Sequence, residues 1–88
     1  MEKPDDLYLE IVTPEDILYS GTIGIIDLPG EAGRFAMLRD HGSIISTLTK
    51  GNIRIVGKDG VERKFECSGG VVECVGNKVT LLIDNHPE

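Results

Sequence analysis

With 88 residues and 9.6 kDa, the chain has room for one domain spanning 1–88 and no more. Fifteen acidic against nine basic residues leave a net charge of −6, which repels phosphate backbones and anionic lipid heads and argues against nucleic-acid binding or polybasic membrane docking. No apolar run approaches the roughly 18 residues of a membrane-spanning helix, and the polar start Met1 to Asp6 does not read as a secretory signal.

Strand signals then follow one another along the chain. Leu7 to Thr13 alternates, with Leu7, Leu9 and Ile11 on one face, and Thr13-Pro14-Glu15-Asp16 ends it. Ile17-Leu18-Tyr19 reads as a short second strand stopped by Ser20-Gly21, and Thr22 to Leu28 as a third. Its Ile25-Ile26 doublet breaks alternation and predicts a bulge or burial on both faces. Pro29-Gly30-Glu31-Ala32-Gly33 reads as a loop. Arg34 to Leu38 and Ser43 to Leu48 are strands separated by Arg39-Asp40-His41-Gly42.

The second half reads as two hairpins. Asn52 to Val56 and Val61 to Cys67 flank Gly57-Lys58-Asp59-Gly60, where Asp-Gly favours positive φ. Gly70 to Val75 and Lys78 to Ile83 flank Gly76-Asn77, a two-residue loop that suits a type II′ turn. That loop sets Val75 opposite Lys78, Cys74 opposite Val79, Glu73 opposite Thr80 and Val72 opposite Leu81. Val72, Cys74, Val79 and Leu81 then form a core side. Val71, Val75 and Leu82 lie on the other, which is more apolar than a freely solvated face requires and is a candidate contact surface. No segment has ten residues of helical periodicity. The fold class is all-β, an antiparallel β-sandwich or flattened barrel.

Reactive chemistry is sparse. The nearest approach to a phosphate-binding loop, Gly51 to Lys58, has five residues between its glycines rather than four. Asp59 also stands where a Mg²⁺-binding hydroxyl belongs. Cys67 and Cys74 read as buried thiols, since zinc wants about four ligands and only two histidines exist to help. Asp40-His41 is half of a hydrolase dyad without a placed nucleophile or oxyanion hole. His86 lies in the terminal tail. The expectation is a binding protein with no catalytic residue, no metal and no cofactor. A biotinyl- or lipoyl-type carrier domain is the alternative, with Lys58 at a hairpin tip but in the wrong setting for modification. Charge is uneven: residues 1–32 hold eight acids and one base, and residues 33–64 hold seven bases and three acids.

Leu9-Glu10-Ile11-Val12-Thr13-Pro14-Glu15, Tyr19-Ser20-Gly21, Gly33-Arg34-Phe35-Ala36-Met37-Leu38, His41, Leu48 and Gly51 follow one another as in a known family. So do Ser68-Gly69-Gly70-Val71-Val72-Glu73 and Asn77 to Asp84. In this order they resemble the epsilon subunit of the bacterial F-type ATP synthase over roughly residues 7–84. The resemblance implies a sandwich of two roughly five-stranded sheets and a noncatalytic place in the central rotor, bound to the gamma subunit and the c ring. It also implies a peripheral position on the cytoplasmic side of the plasma (inner) membrane. By position, Thr13, His41 and Ser46 correspond to the gamma-facing surface, and Pro29, Gly30, Glu31, Ala32, Gly33 and Arg34 to the loop that meets the c ring. Arg34 stands where some members carry an acid. Members usually continue into a helical hairpin that restrains ATP hydrolysis and in some binds ATP. Were the chain complete at Glu88, neither inhibition through that hairpin nor ATP binding would be expected.

Overall fold

The computed structural model describes residues 6–40 and 42–84. Nine strands account for most of them: β1 Leu7–Val12, β2 Ile17–Ile23, β3 Ile25–Gly30, β4 Gly33–Leu38, β5 Ile44–Leu48, β6 Gly51–Val56, β7 Glu62–Cys67, β8 Gly69–Val75 and β9 Lys78–Asp84. They form one hydrogen-bonded path, β2-β1-β9-β8-β5-β3-β6-β7, with β4 paired to β3. Every pairing is antiparallel except β1 with β9, which run parallel from Tyr8↔Lys78 to Val12↔Leu82. The path narrows to the single pair Gly30↔Leu48 between β3 and β5. On one side of that seam lie five strands and on the other four, in place of two separate sheets.

Alternation in sequence becomes burial in space. Leu7, Leu9 and Ile11 of β1 are fully buried while Tyr8, Glu10 and Val12 between them are not. Their faces meet Ile26 and Leu28 of β3, Ile53 and Ile55 of β6, Val72 and Cys74 of β8, and Val79, Leu81 and Ile83 of β9 in one apolar cluster. Each large aliphatic so buried contributes roughly 1.5–3 kcal/mol relative to exposure.

Three local expectations are corrected, two along β2 to β4 and one at the β8–β9 turn. Ser20-Gly21 does not stop a strand: both pair with β1 in the ladder Glu10↔Ser20 and Leu9↔Gly21, and β2 runs on to Ile23. The break falls at Gly24, whose N–H donates to Val56 O at 2.8 Å as the chain passes from β1's neighbour to β6's neighbour. Of the two outcomes expected for the Ile25-Ile26 doublet, a bulge or burial on both faces, the structure shows the second in part. Ile26 is buried and Ile25 half-buried at the start of β3, and the one register shift lies at Ile11/Val12. Pro29, Gly30 and Gly33 are strand residues in the ladder Pro29↔Arg34, Gly30↔Gly33, so the turn is only Glu31-Ala32.

The β8–β9 register is as the sequence predicts, from Val75↔Lys78 to Val72↔Leu81. The turn type is not. Gly76 and Asn77 both have positive φ, 57° and 66°, the type I′ pattern, whereas type II′ needs it only at the first position. In the β6–β7 turn, Gly60 alone of the Asp-Gly pair takes positive φ, at 83°.

Candidate functional site

The five-stranded side turns one face to the core and one outward, and the register places the outward residues in rows. The row nearest one end reads Ile17–Val12–Leu82–Val71–Thr47 across β2, β1, β9, β8 and β5. Four of its five members are large aliphatics. At a strand spacing of about 4.8 Å the row is about 19 Å wide. The next reads Ser20–Glu10–Thr80–Glu73–Ile45, and the third contains Thr22, Tyr8, Lys78 and Val75. The Tyr8 and Ser20 hydroxyls are hydrogen-bonded at 2.7 Å.

This face collects most of the exposed large aliphatics among the described residues. Among the described residues, the large aliphatics more than about a third exposed include Ile17 (60%), Ile45 (72%), Val71 (38%), Val75 (57%) and Leu82 (58%), all here. Leu38 and Val61 are exposed elsewhere. Each end of the face carries a shallow groove of about 310 Å³. One is lined by Val12, Thr13, Pro14, Gly70, Leu82, Ile83 and Asp84. The other is lined by Ser43, Ile44, Ile45, Glu73, Cys74 and Val75. Val71, Val75 and Leu82 are therefore brought together as the sequence predicts. Ile17, Val12 and Ile45 join them unforeseen. For Ile45 a signal existed: the Ile44-Ile45 doublet cannot put both side chains on one face of a strand.

The outer face of the four-stranded side has the opposite character. Asp27 of β3 lies between two guanidinium groups, Arg34 Nε at 3.2 Å and Arg54 Nη1 at 3.9 Å. Arg54 Nε also meets Glu62 at 3.0 Å, and Lys64 meets Glu62 at 3.8 Å. Arg34 further donates to Asn52 O at 2.8 Å. The residue expected to meet a partner from a loop is thus a strand residue whose side chain reaches back across β3 to β6.

The other sequence-derived positions are scattered. Pro29 and Gly30 are buried, which leaves Glu31, Ala32, Gly33 and Arg34 exposed at the hairpin tip. Thr13 lines the first groove and holds its turn, with Asp16 N–H donating to Thr13 Oγ1 at 3.1 Å. Ser46 is half-buried and paired with the core residue Val72, so it shares the inward parity of β5 while Ile45 and Thr47 point out. His41 lies outside the described residues. Thr13 and Ser46 are not neighbours on one patch.

Both thiols are free and buried. Burial pushes their pKa values above the ordinary 9.0, and for Cys67 the nearby Asp84 charge adds to the effect. Cys67 Sγ lies 3.4 Å from Gly69 O. Among the described residues no grouping of His, Cys, Asp and Glu could hold a metal ion, and no helix is long and apolar enough to cross a membrane. Lys58 at its hairpin tip is ion-paired with Asp6 at 2.9 Å.

A β-sandwich whose exposed aliphatic residues gather on one outer face is, by class, a protein-docking module. The ATP synthase delta/epsilon chain β-sandwich domain matches residues 6–86, and the chain belongs to that family. The ATP synthase epsilon chain of Chlorobaculum tepidum is 37% identical over 76 residues, 86% of this chain and 86% of that one. The epsilon chain of Roseiflexus sp. is 40% identical over 78 residues, 89% of this chain but 55% of its own length. Among solved structures, a chain of the Euglena gracilis mitochondrial ATP synthase (OSCP/F1/c-ring) superposes with a TM-score of 0.83 at 16% identity, covering 94% of this chain and 53% of its own. A chain of the Tetrahymena thermophila mitochondrial ATP synthase central stalk/c-ring gives 0.78 at 15% identity, covering 97% of this chain and 67% of its own. At such identities the superpositions speak to a shared fold. Family membership removes the carrier-domain alternative.

Proposed function

We propose that the protein is a noncatalytic central-stalk subunit of an F-type ATP synthase. It docks to the gamma subunit and to the c ring, so that proton-driven rotation of the ring is passed to the catalytic head. It would then sit peripherally at the membrane as part of that complex. The observation that carries the reading is the family match over residues 6–86. The relatives named as epsilon chains and the solved assemblies named as central stalk and c-ring agree with it.

The mechanical demand on such a subunit is adhesion without slip. A docking contact of that kind needs at least about 1,000 Å² of buried surface and nanomolar affinity, about −12 kcal/mol. The Ile17–Val12–Leu82–Val71 row with Ile45 and Val75 is the surface we assign to gamma, and the exposed tip Glu31 to Arg34 the one we assign to the c ring. Aliphatic side chains on a rigid sheet lose little rotamer freedom on docking, so much of their burial is retained as affinity.

Size-exclusion chromatography of the chain with its cognate gamma subunit tests this. Co-elution at micromolar concentration is expected, and separate elution would sink the proposal. The Leu82→Asp variant should weaken the complex at least tenfold, because a carboxylate would be desolvated in the contact. Its melting temperature should stay within a few degrees of the parent, since the side chain packs on nothing inside the core.

A further inference from the structure

Asn77 is the one buried polar side chain among the described residues, with 5% of its surface exposed. It occupies the second central position of the β8–β9 turn. With Asp40 at φ 64°, it is one of the two non-glycine residues at positive φ among those described. The two are joined across the fold. Asp40 N–H donates to Asn77 Oδ1 at 2.6 Å, and Asn77 Nδ2 donates to Asp40 Oδ1 at 3.1 Å. Tyr8 N–H donates to the Asn77 carbonyl at 2.8 Å. One residue thus fastens the start of β1, the hairpin tip and the β4–β5 connection.

Among the described residues of that connection, little else holds it. Its described residues Leu38, Arg39, Asp40, Gly42 and Ser43 are all exposed, and none of them is an apolar side chain buried in the core. Arg39 reaches Asp40 at 3.8 Å and Asp6 at 3.9 Å. The segment nonetheless borders the face assigned to gamma. Ser43 lines both the groove beside Ile45 and Val75 and a polar hollow of about 370 Å³ shared with Asp40, Gly42, Gly76 and Asn77. An exposed segment left loose there would have to be ordered by the partner, at roughly 0.5–1.5 kcal/mol per immobilised side chain.

We infer that Asn77 is a positioning residue: its amide clamps Asp40 and so pre-sets Arg39, Asp40, Gly42 and Ser43 as a fixed rim of the docking face. The role in docking rests on the function proposed above; the clamp itself does not.

Amide hydrogen exchange on the full chain separates the two. Asn77→Gly keeps the turn, because glycine takes positive φ freely, and deletes both side-chain bonds to Asp40. Exchange at the Asp40 amide should rise about tenfold. The Tyr8 amide, bonded to a main-chain carbonyl that the variant retains, should be unchanged. Unaltered protection at Asp40 would overturn the clamp. Should Asn77→Gly fail to fold, Asp40→Gly decides the same point. It removes the bond from Asn77 Nδ2 together with the 3.8 Å ion pair to Arg39, and Arg39→Ala removes that ion pair alone. A severalfold rise in exchange at residue 40 beyond that of Arg39→Ala, corrected for glycine's intrinsic rate, is expected; no excess rise would overturn the clamp. Affinity for gamma should fall about fivefold in Asn77→Gly. Loosened exchange with unchanged affinity would overturn the positioning role while leaving the clamp. A parent chain that never binds gamma would remove the docking role, and the exchange data would still judge the clamp.

Discussion

Gly69 and Gly70 open β8 at φ 149° and 154°, backbone conformations that side chains resist. Ser68 N–H, just before them, donates to Asp84 O at 2.6 Å and closes the sheet end. A Cβ on Gly70 would overlap the Leu82 carbonyl and lie 2.8 Å from Ile83 Cα, both backbone atoms that cannot swing aside. The glycine therefore exists so that β9 can approach β8 where the Val12–Leu82 groove begins. Gly70→Ala should cost about 3 kcal/mol, combining strained φ with overpacking, read as a lower urea midpoint with an unchanged slope. Gly30 answers to a similar constraint, since its Cβ would stand 2.7 Å from the Phe35 ring and 2.8 Å from Gly33 O. The sequence already places Gly70 at the start of a strand, but Pro29-Gly30 reads as a loop, and only the neighbouring strand reveals that Gly30 is a ladder residue.

Among the strands, the two outer faces divide the work of solubility and adhesion. The β4-β3-β6-β7 face is covered by the Arg34–Asp27–Arg54–Glu62–Lys64 chain of charges, which favours water over a protein partner. The opposite face carries the aliphatic row Ile17–Val12–Leu82–Val71. Asp27→Asn leaves Arg34 and Arg54 without their shared carboxylate. Because all three side chains are 30–45% exposed, the loss should be only about 0.5–1 kcal/mol at low salt. It should shrink further in 0.5 M salt, about three times the ionic strength at which the screening length is roughly 8 Å. Chemical denaturation at the two ionic strengths measures it, and a larger, salt-independent loss would mean that the network is structural. Strand pairing by local turns was legible: the Gly76-Asn77 loop alone predicts the register of β8 and β9, because a two-residue hairpin permits one alignment. The parallel meeting of β1 and β9 was not. Residues some 70 positions apart in the chain carry no local mark of their pairing.

For the molecule as a whole, one core joins both sides of the Gly30↔Leu48 seam, so unfolding should be a single cooperative transition. Its pH dependence has a defined sign on the alkaline side. Cys67 and Cys74 have pKa values raised by burial, so above about pH 9 the unfolded chain ionises its thiols while the folded chain keeps them protonated. The unfolded state then binds fewer protons, and stability falls as pH rises from 9.0 through the raised folded values. Below that window the contribution is fully present. Urea midpoints at pH 8 and pH 10 should differ less in a Cys67→Ala, Cys74→Ala double variant than in the parent. An equal difference would assign the alkaline loss to other groups.

The sequence by itself determined the all-β class, the inward residues of β1, β8 and β9 and the free thiols, because period-2 alternation and tight turns act between residues near one another in the chain. The ordered family positions pointed to the epsilon-chain family as well. Tertiary structure decided the rest: that β2 runs through Ser20-Gly21, that Arg34 turns back to Asp27, that Asn77 reaches Asp40, and that Ile17, Ile45, Val71 and Leu82 become one surface. Each of those depends on which distant strand lies alongside, and burial and hydrogen bonding between remote segments are properties of the assembled sheet, not of any stretch of residues read alone.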